Sequence, residues 1–312
     1  MKIQQNAILA AGMTSLMWGA TGIFVRFLPS LSPFAVTAGR LIVALIFVLP
    51  IVCLLANQRK NFKQAIQNPI TNLLALLLAG YYLLATAAFQ LAPVAEAALL
   101  LSTPPLFILM FRRISGDIPS SRDTLGAIIA IIGLFTILAP KISFTDQVSN
   151  FRLFGDLLAI CAAGLTAVYA YIYQILRKRS KSPETIAVTT LTFLEGSIIL
   201  IPVILLLPKH SGISTLNIHD ITILIGLGIF STAFPSLGFA LASKYLPALI
   251  TSIISLFIPL FAGIFSFLIL GEIPSISFYI GGILVLSGVA IILYHKERKS
   301  KNLNFSKDMI RR

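Results

Sequence analysis

Carboxylates are scarce in this chain. Of 312 residues, 11 are Asp or Glu against 24 Lys and Arg, and charged residues of both signs make up 11%. A water-soluble protein of that length needs far more polar surface to cover itself. Cysteine is nearly absent as well. Cys53 and Cys161 stand alone within apolar stretches, which excludes a disulfide framework and leaves each as a small apolar packing group. The three histidines, His210, His219 and His295, fall in loops or at span ends and are not spaced to share a metal. There is no HExxH, no phosphate-cradling glycine loop and no dinucleotide fingerprint. Enzyme chemistry is therefore poorly supported, and no catalytic residue, metal or cofactor is expected. An intramembrane enzyme would need catalytic groups in mutual reach near one membrane face, and a channel would want a lining of polar rings.

What the chain has in quantity is apolar length. Hydrophobic residues make up 57% and the mean hydropathy is +0.94. Runs of about 20 apolar residues recur from end to end, each able to cross a hydrocarbon core of roughly 30 Å. A barrel is excluded, because its strands would alternate over ten-residue segments. The fold class is an all-α polytopic membrane protein of ten transmembrane helices, at 6–28, 33–56, 69–91, 93–112, 121–140, 152–175, 183–207, 219–243, 247–270 and 275–294. Pro33, Pro69, Pro93, Pro183, Pro208, Pro247 and Pro274 punctuate the boundaries. The first span follows Lys2 like a signal peptide, but it runs on through Trp18 to Leu28, too long for an h-region.

Basic residues orient the bundle. With the N-terminus cytoplasmic, 19 Lys and Arg fall inside, among them Arg59, Lys60, Lys63, Arg112, Arg113, Arg177, Arg179 and seven after Tyr294. Four fall outside, Arg26, Lys141, Arg152 and Lys209, and Arg40 lies within span 2. Both termini are therefore expected in the cytoplasm of a bacterial-type inner membrane. The net charge of +13 is mostly this topology signal, and nucleic acid is not an expected partner because the basic residues sit in separate short loops. The basic tail 295–312 is expected on anionic lipid.

The chain also repeats itself. Residues 91–138 and 246–293 align without a gap at an offset of 155, with 13 of 48 positions identical. Pro104 falls on Pro259, Gly116 on Gly271, Ile118-Pro119-Ser120 on Ile273-Pro274-Ser275, Gly126 on Gly281 and Gly133 on Gly288, while Asp117 meets Glu272. The units are expected at 6–140 and 152–294, divided by the polar loop 141–150. Five spans is an odd number, so the second copy must sit upside down relative to the first. Inverted repeats suit alternating access, with a substrate site near the midplane between the halves.

These residues resemble the drug/metabolite transporter superfamily, specifically its EamA-type members. The resemblance rests on Trp18-Gly19, Arg40, Gly155-Asp156-Leu157, Pro104, Pro259 and Gly271-Glu272, and covers about 6–139 and 154–293. It implies a carrier of small metabolites such as amino acids, often outward, with a cavity lined by spans 1, 3, 4, 6, 8 and 9. Two departures leave the substrate class open: Phe89 stands where members often have Lys or Arg, and Asp117 replaces the usual Glu.

Ionisable residues within spans are functional candidates because they are costly in lipid. Arg40 is seven residues past Pro33, roughly 10 Å into span 2, and Glu96 enters span 4 from the same side. They are expected to pair at an outer gate, or else Arg40 snorkels and Glu96 caps its helix. Glu195, roughly 18 Å into span 7, either holds a substrate amine or coupled proton or stays protonated against a neighbouring helix. Ser252, Ser255, Pro259, Gly263 and Ser266 share one face of span 9, and Glu96 and Thr103 one face of span 4. Close helix packing explains the stripe as readily as a lining does. Pro104 and Pro259 are expected bending points.

Trp18, Tyr81, Tyr82, Tyr169 and Phe234 are candidate cavity aromatics, with Trp18 and Tyr169 in near-equivalent places in spans 1 and 6. The chain is thus expected to be a secondary active transporter exporting an amino acid or related metabolite. Uptake of a cationic or nucleoside-bearing metabolite such as S-adenosylmethionine is the alternative. Proton coupling and oligomeric state stay open. The partners are the small-molecule substrate and the lipid bilayer.

Overall fold

The computed structural model describes residues 2–116, 120–141, 147–206, 212–245 and 254–292. Among them every regular element is helical. Eight helical spans are long and apolar enough to cross a membrane, and two shorter apolar helices, Phe257–Leu270 and Ile276–Ile292, complete the set of ten. The expected positions of Asp117, Ile118, Pro119, Pro208, Lys209, His210, Pro247, Ser252, His295 and the basic tail lie outside the described residues.

Local chemistry places the helix starts. Ser32 accepts from Ala35 N–H at 3.3 Å and is followed by Pro33, whose missing N–H is harmless in the first turn. Ser120 and Asp123 close a capping box on span 5, and Asn217 and Asp220 close another on span 8.

The structure departs from simple spans in six places, one of them a π-helical turn, Ser266–Leu270, that closes span 9. The connection between spans 2 and 3 is a helix of its own, Ala56–Gln67, carrying Arg59, Lys60 and Lys63 and packed on span 7 through Phe62 and Ala65. Span 6 is longer than expected, running over Gln147–Lys178. Span 1 breaks at Ala20, between Lys2–Gly19 and Thr21–Arg26. Span 4 breaks at 101–103, between Val94–Leu100 and Pro104–Ile114. In span 8 a π-helical turn, Ile229–Ala233, separates Ile218–Gly228 from Phe234–Tyr245.

The inverted repeat is written in the contact between spans 5 and 10. A Cβ on Gly126 would lie 2.7 Å from Gly288 O, and one on Gly133 would lie 2.6 Å from Gly281 O. The lower-numbered glycine of one span meets the higher-numbered glycine of the other, so the spans are antiparallel. Gly126 and Gly281 are repeat equivalents, as are Gly133 and Gly288, so exchanging the copies maps each contact onto the other. The four glycines let two backbones touch where any side chain would hold them apart. Leu99, Ile137, Val285 and Val289 pack into a cluster beside this crossing. The ends of spans 4 and 9 are mirrored as well: Gly116 and Gly271 both take a left-handed backbone, at φ 83° and 66°.

Candidate functional site

One end of the bundle is clasped shut. Arg26 closes span 1 and its Nη2 lies 3.3 Å from Glu272 Oε1, with the two side chains 29% and 23% exposed. Arg26 also donates to Gln90 O at 3.2 Å and to Ala92 O at 2.8 Å at the end of span 3. Glu272 Oε2 accepts from Val94 N–H at 2.9 Å, where span 4 begins. Gln90 in turn donates to Leu31 O at 2.9 Å. The left-handed turn at Gly271 ends span 9 and presents Glu272 at this junction. One ion pair and four hydrogen bonds thus join spans 1, 3, 4 and 9, and so tie the first repeat to the second.

At the opposite end, among the described residues, spans 4 and 1 pack on different neighbours. The second half of span 4 packs on spans 5 and 6, with Phe111 and Tyr171 rings 5.9 Å apart and Ser115 Oγ and Tyr171 Oη sharing a 2.6 Å hydrogen bond. The first half of span 1 packs on spans 8 and 9. Ser15 donates to Ile254 O at 2.9 Å and Thr14 to Pro235 O at 3.4 Å.

Between the two ends lies a buried polar junction. Arg40, 1% exposed, donates from Nε to Thr232 Oγ1 at 2.9 Å and from Nη2 to Ser231 O at 3.3 Å. Its guanidinium carbon sits 4.8 Å from the centre of the Tyr82 ring, a cation–π contact. Ser231 and Thr232 belong to the π turn of span 8, a form of helix that recurs at functional sites because it widens the backbone and re-aims carbonyls. Ser231 Oγ also bonds Thr21 Oγ1 at 2.5 Å and donates to Met17 O at 3.1 Å. Tyr82 Oη and Ser236 Oγ approach to 3.4 Å. Spans 1, 2, 3 and 8 meet here.

The structure brings some predicted residues to this junction and leaves others elsewhere. Arg40 and Tyr82 are at its centre, and Tyr81 packs against Tyr82 with ring centres 5.4 Å apart. Trp18 lies two residues before the break in span 1, half-buried against Phe239 of span 8 at 5.5 Å. Tyr169 is half-buried and stacks on Tyr173 at 5.7 Å, and Tyr173 donates to Pro183 O at 2.6 Å. The expected Arg40–Glu96 pair is not formed: Arg40 is spent on span 8 and Tyr82, and Glu96 is buried at the start of span 4. Equal depth did not put the two in contact, and the carboxylate that meets an arginine is Glu272, on Arg26.

Glu195 occupies the middle of Thr185–Leu206, half-buried, with Oε2 making no hydrogen bond among the described residues. Gly196 beside it meets Leu41 and Ala79, as close packing requires, while Ile198 and Ile199 are exposed. Glu195 thus lies at the margin of the outer face. Phe234 is 41% exposed, stacked on Phe230 and 4.9 Å from Phe47, and it continues the exposed stripe of Ile218, Ile221 and Ile225. Thr103 is buried at the break of span 4, donating to Leu100 O at 2.7 Å, and Pro104 opens the second half. Ser255 is half-buried just before Leu256, where the helix of span 9 restarts, and Pro259 is buried three residues on. No group of three metal-ligating residues occurs among the described residues.

Sequence reasoning missed the clasp and the π turn. Arg26 counts as a loop cation in a charge tally and Glu272 as a helix-end motif. Only their common membrane side hinted that they meet. Ser231-Thr232 carries no signal beyond two hydroxyls in an apolar span.

Comparison with known proteins agrees with this architecture. The EamA-like transporter family model matches twice, over residues 5–139 and 153–294. Two proteins called uncharacterized transporters in Archaeoglobus fulgidus are 27% and 26% identical over 281 and 286 residues. These cover 89% and 90% of this chain and 93% and 95% of theirs. An uncharacterized transporter of Bacillus subtilis, YdfC, is 24% identical over 225 residues, covering 72% of this chain and 70% of its own. A solved structure titled only as the crystal structure of a protein superposes with a TM-score of 0.63 at 18% identity, covering 93% of this chain and 97% of that one, a likeness of fold. With its two matched repeats spanning nearly the whole sequence, the chain belongs to the EamA-like transporter family.

Proposed function

We propose that this protein is a secondary carrier that exports an amino acid or related small metabolite by alternating access. The observation that carries the reading is the contrast between the two ends: at the Arg26 end an ion pair and the Val94–Glu272 hydrogen bond cross between the repeats, and three more hydrogen bonds brace that end within the first. At the other end, among the described residues, span 4 packs on spans 5 and 6 while span 1 packs on spans 8 and 9. A carrier must hold one end shut while the other admits cargo, and a mirrored rearrangement then reverses the roles. The distribution of Lys and Arg supports an Arg26 end on the outside with both termini in the cytoplasm, and in that orientation this state is closed to the outside. The two units are 6–140 and 152–294, and the membrane is the inner membrane of a bacterial-type cell. The chain has no nucleotide-binding motif, so the driving force is the cargo's own gradient or a coupled ion.

Counterflow tests this directly. Purified protein in liposomes preloaded with one unlabelled amino acid should accumulate the same labelled compound, with and without a pH gradient. Accumulation without a gradient identifies a carrier, and an added pH effect identifies proton coupling. Folded protein that moves no amino acid, purine or S-adenosylmethionine, yet conducts ions, would overturn the reading in favour of a channel.

A further inference from the structure

Arg40 is a buried cation without a counter-ion. It forms no ion pair among the described residues: four carboxylates are committed elsewhere, and Glu195 of span 7, whose Oε2 makes no hydrogen bond among the described residues, does not pair with it. Glu272 holds Arg26, Asp123 and Asp220 close capping boxes, and Glu184 accepts from Ala187 N–H at 2.9 Å. Neutral oxygens take Nε and Nη2 and a ring covers one face, while Nη1 donates to no described residue. Neutral partners reduce the desolvation cost of a buried charge, but only an anion removes it.

A second unspent donor lies one turn away. Thr37 is 0% exposed, and its Oγ1 has no hydrogen-bond partner. This is unusual within the chain: Thr86, Thr190, Thr192 and Ser197 all return their hydroxyls to the carbonyl four residues back. Residues three apart share a helix face, and helical side chains lean toward the N-terminus, so Thr37 and Arg40 lie on one face of span 2 a turn apart. A buried hydroxyl left idle one turn from a buried guanidinium, whose Nη1 donates to no described residue, can share an acceptor with it.

We propose that Arg40 Nη1 and Thr37 Oγ1 are the seat for a carboxylate of the cargo. The transported class is then small carboxylates, acidic or zwitterionic, with Tyr81 and Tyr82 as the wall against which an apolar side group rests. This rests on the carrier reading above and names its substrate class. One guanidinium and one hydroxyl match a singly charged carboxylate better than a doubly charged phosphate ester. The same guanidinium holds Ser231 and Thr232, so an arriving anion shares charge with the bonds that fix the π turn of span 8, which couples occupancy to that helix.

The test uses L-phenylalanine, 3-phenylpropionate and phenethylamine as probes on the purified full-length protein. The first two keep the carboxylate and the third lacks it. L-Phenylalanine and 3-phenylpropionate should raise the thermal unfolding midpoint and exchange in counterflow, and phenethylamine should do neither. Thr37→Val, which keeps shape and removes the hydroxyl, should raise KM for L-phenylalanine about tenfold with kcat retained, as expected for losing one hydrogen bond to a charged group. It should leave the unliganded midpoint in place, since the hydroxyl has no partner to lose. Equal effects of phenethylamine, or an unchanged KM in Thr37→Val, would overturn the seat. Stabilisation by the carboxylates without counterflow would overturn the carrier reading while leaving the seat standing. No stabilisation by either carboxylate would overturn the seat alone.

Discussion

Removing Glu272 should unlatch the Arg26 end. Glu272→Ala deletes a charge-assisted hydrogen bond to Val94 N–H and the ion pair with Arg26, both made only while spans 1, 4 and 9 meet. A hydrogen bond to a charged group contributes about 1.5–3 kcal/mol. An ion pair as solvated as this one, with side chains 29% and 23% exposed, adds only about 0.5–1 kcal/mol. A combined loss of about 2–4 kcal/mol shifts the closed-to-open ratio at that end by roughly 30- to 700-fold, at tenfold per 1.4 kcal/mol. Glu272→Gln keeps an acceptor for Val94 and loses the pair, so its shift should be about fivefold. The reporter is a cysteine at Ala95, which is buried where Gly263 faces span 4. On a Cys53→Ser, Cys161→Ser background, its labelling by a membrane-impermeant maleimide added outside should accelerate in the order parent, Glu272→Gln, Glu272→Ala. Identical labelling rates in parent and Glu272→Ala, with both proteins folded, would refute the latch. So would an acceleration matched by a lowered unfolding midpoint, since that reports unfolding and not opening.

Three further expectations follow from packing and charge. Gly133→Ala places a Cβ 2.6 Å from Gly281 O and should cost about 1–3 kcal/mol, read as a lower unfolding midpoint in detergent. Gly12→Ala, which meets nothing within 4 Å, is the neutral control. Tyr82→Phe gives up only the long 3.4 Å contact to Ser236 and keeps a ring under Arg40, so it should be nearly silent. Tyr82→Leu loses the ring and should cost about 2 kcal/mol in the same assay. A protease added to right-side-out vesicles should spare the tail after Tyr294 and cut it in inverted ones. The reverse pattern would turn the molecule over and make the Arg26 clasp an inner gate.

Much of the architecture was legible because it is written in long, local patterns. Twenty-residue apolar runs declare spans, and prolines such as Pro33 and Pro69 fall where helices begin. The gapless register of Gly126-Gly133 on Gly281-Gly288 announced a duplication whose odd span number forces inversion. What stayed hidden depended on rotation about helix axes. Arg40 and Glu96 share a depth and yet face different neighbours, which depth alone cannot tell. The Phe234 aromatic ring sits with Phe230 and Phe47, since the added residue of the π turn rotates everything after it in span 8. The helix Ala56–Gln67 was unreadable as such because its composition, three cations and five amides, suits a loop as well as an interfacial helix. Breaks in spans 1 and 4 occur at Ala20 and at 101–103, and only the second is signalled, by Pro104.

A chain with 11 acidic residues makes each pairing decision informative. Arg26 has a fixed counter-ion, and its role is to hold helices together. Arg40 has none among the described residues, only Ser231 O, Thr232 Oγ1 and the Tyr82 ring, and a buried cation within a span is a functional candidate. Supplying a permanent counter-ion should therefore separate stability from transport. Thr37→Asp sets a carboxylate one turn before Arg40, within reach of an i, i+3 pair on the same helix. If the seat is real, this substitution fills it. The unliganded protein should melt higher, by the roughly 1–3 kcal/mol that breaking an uncompensated state returns. Counterflow should fall by more than tenfold, and added carboxylate should no longer stabilise the fold. Thr37→Asn, equal in size and without the charge, should show none of this gain. Were Thr37→Asp to melt lower than the parent and Thr37→Asn alike, the added carboxylate would be unpaired and Arg40 already satisfied by Thr232, Ser231 and Tyr82. Its role would then reduce to bracing the π turn of span 8.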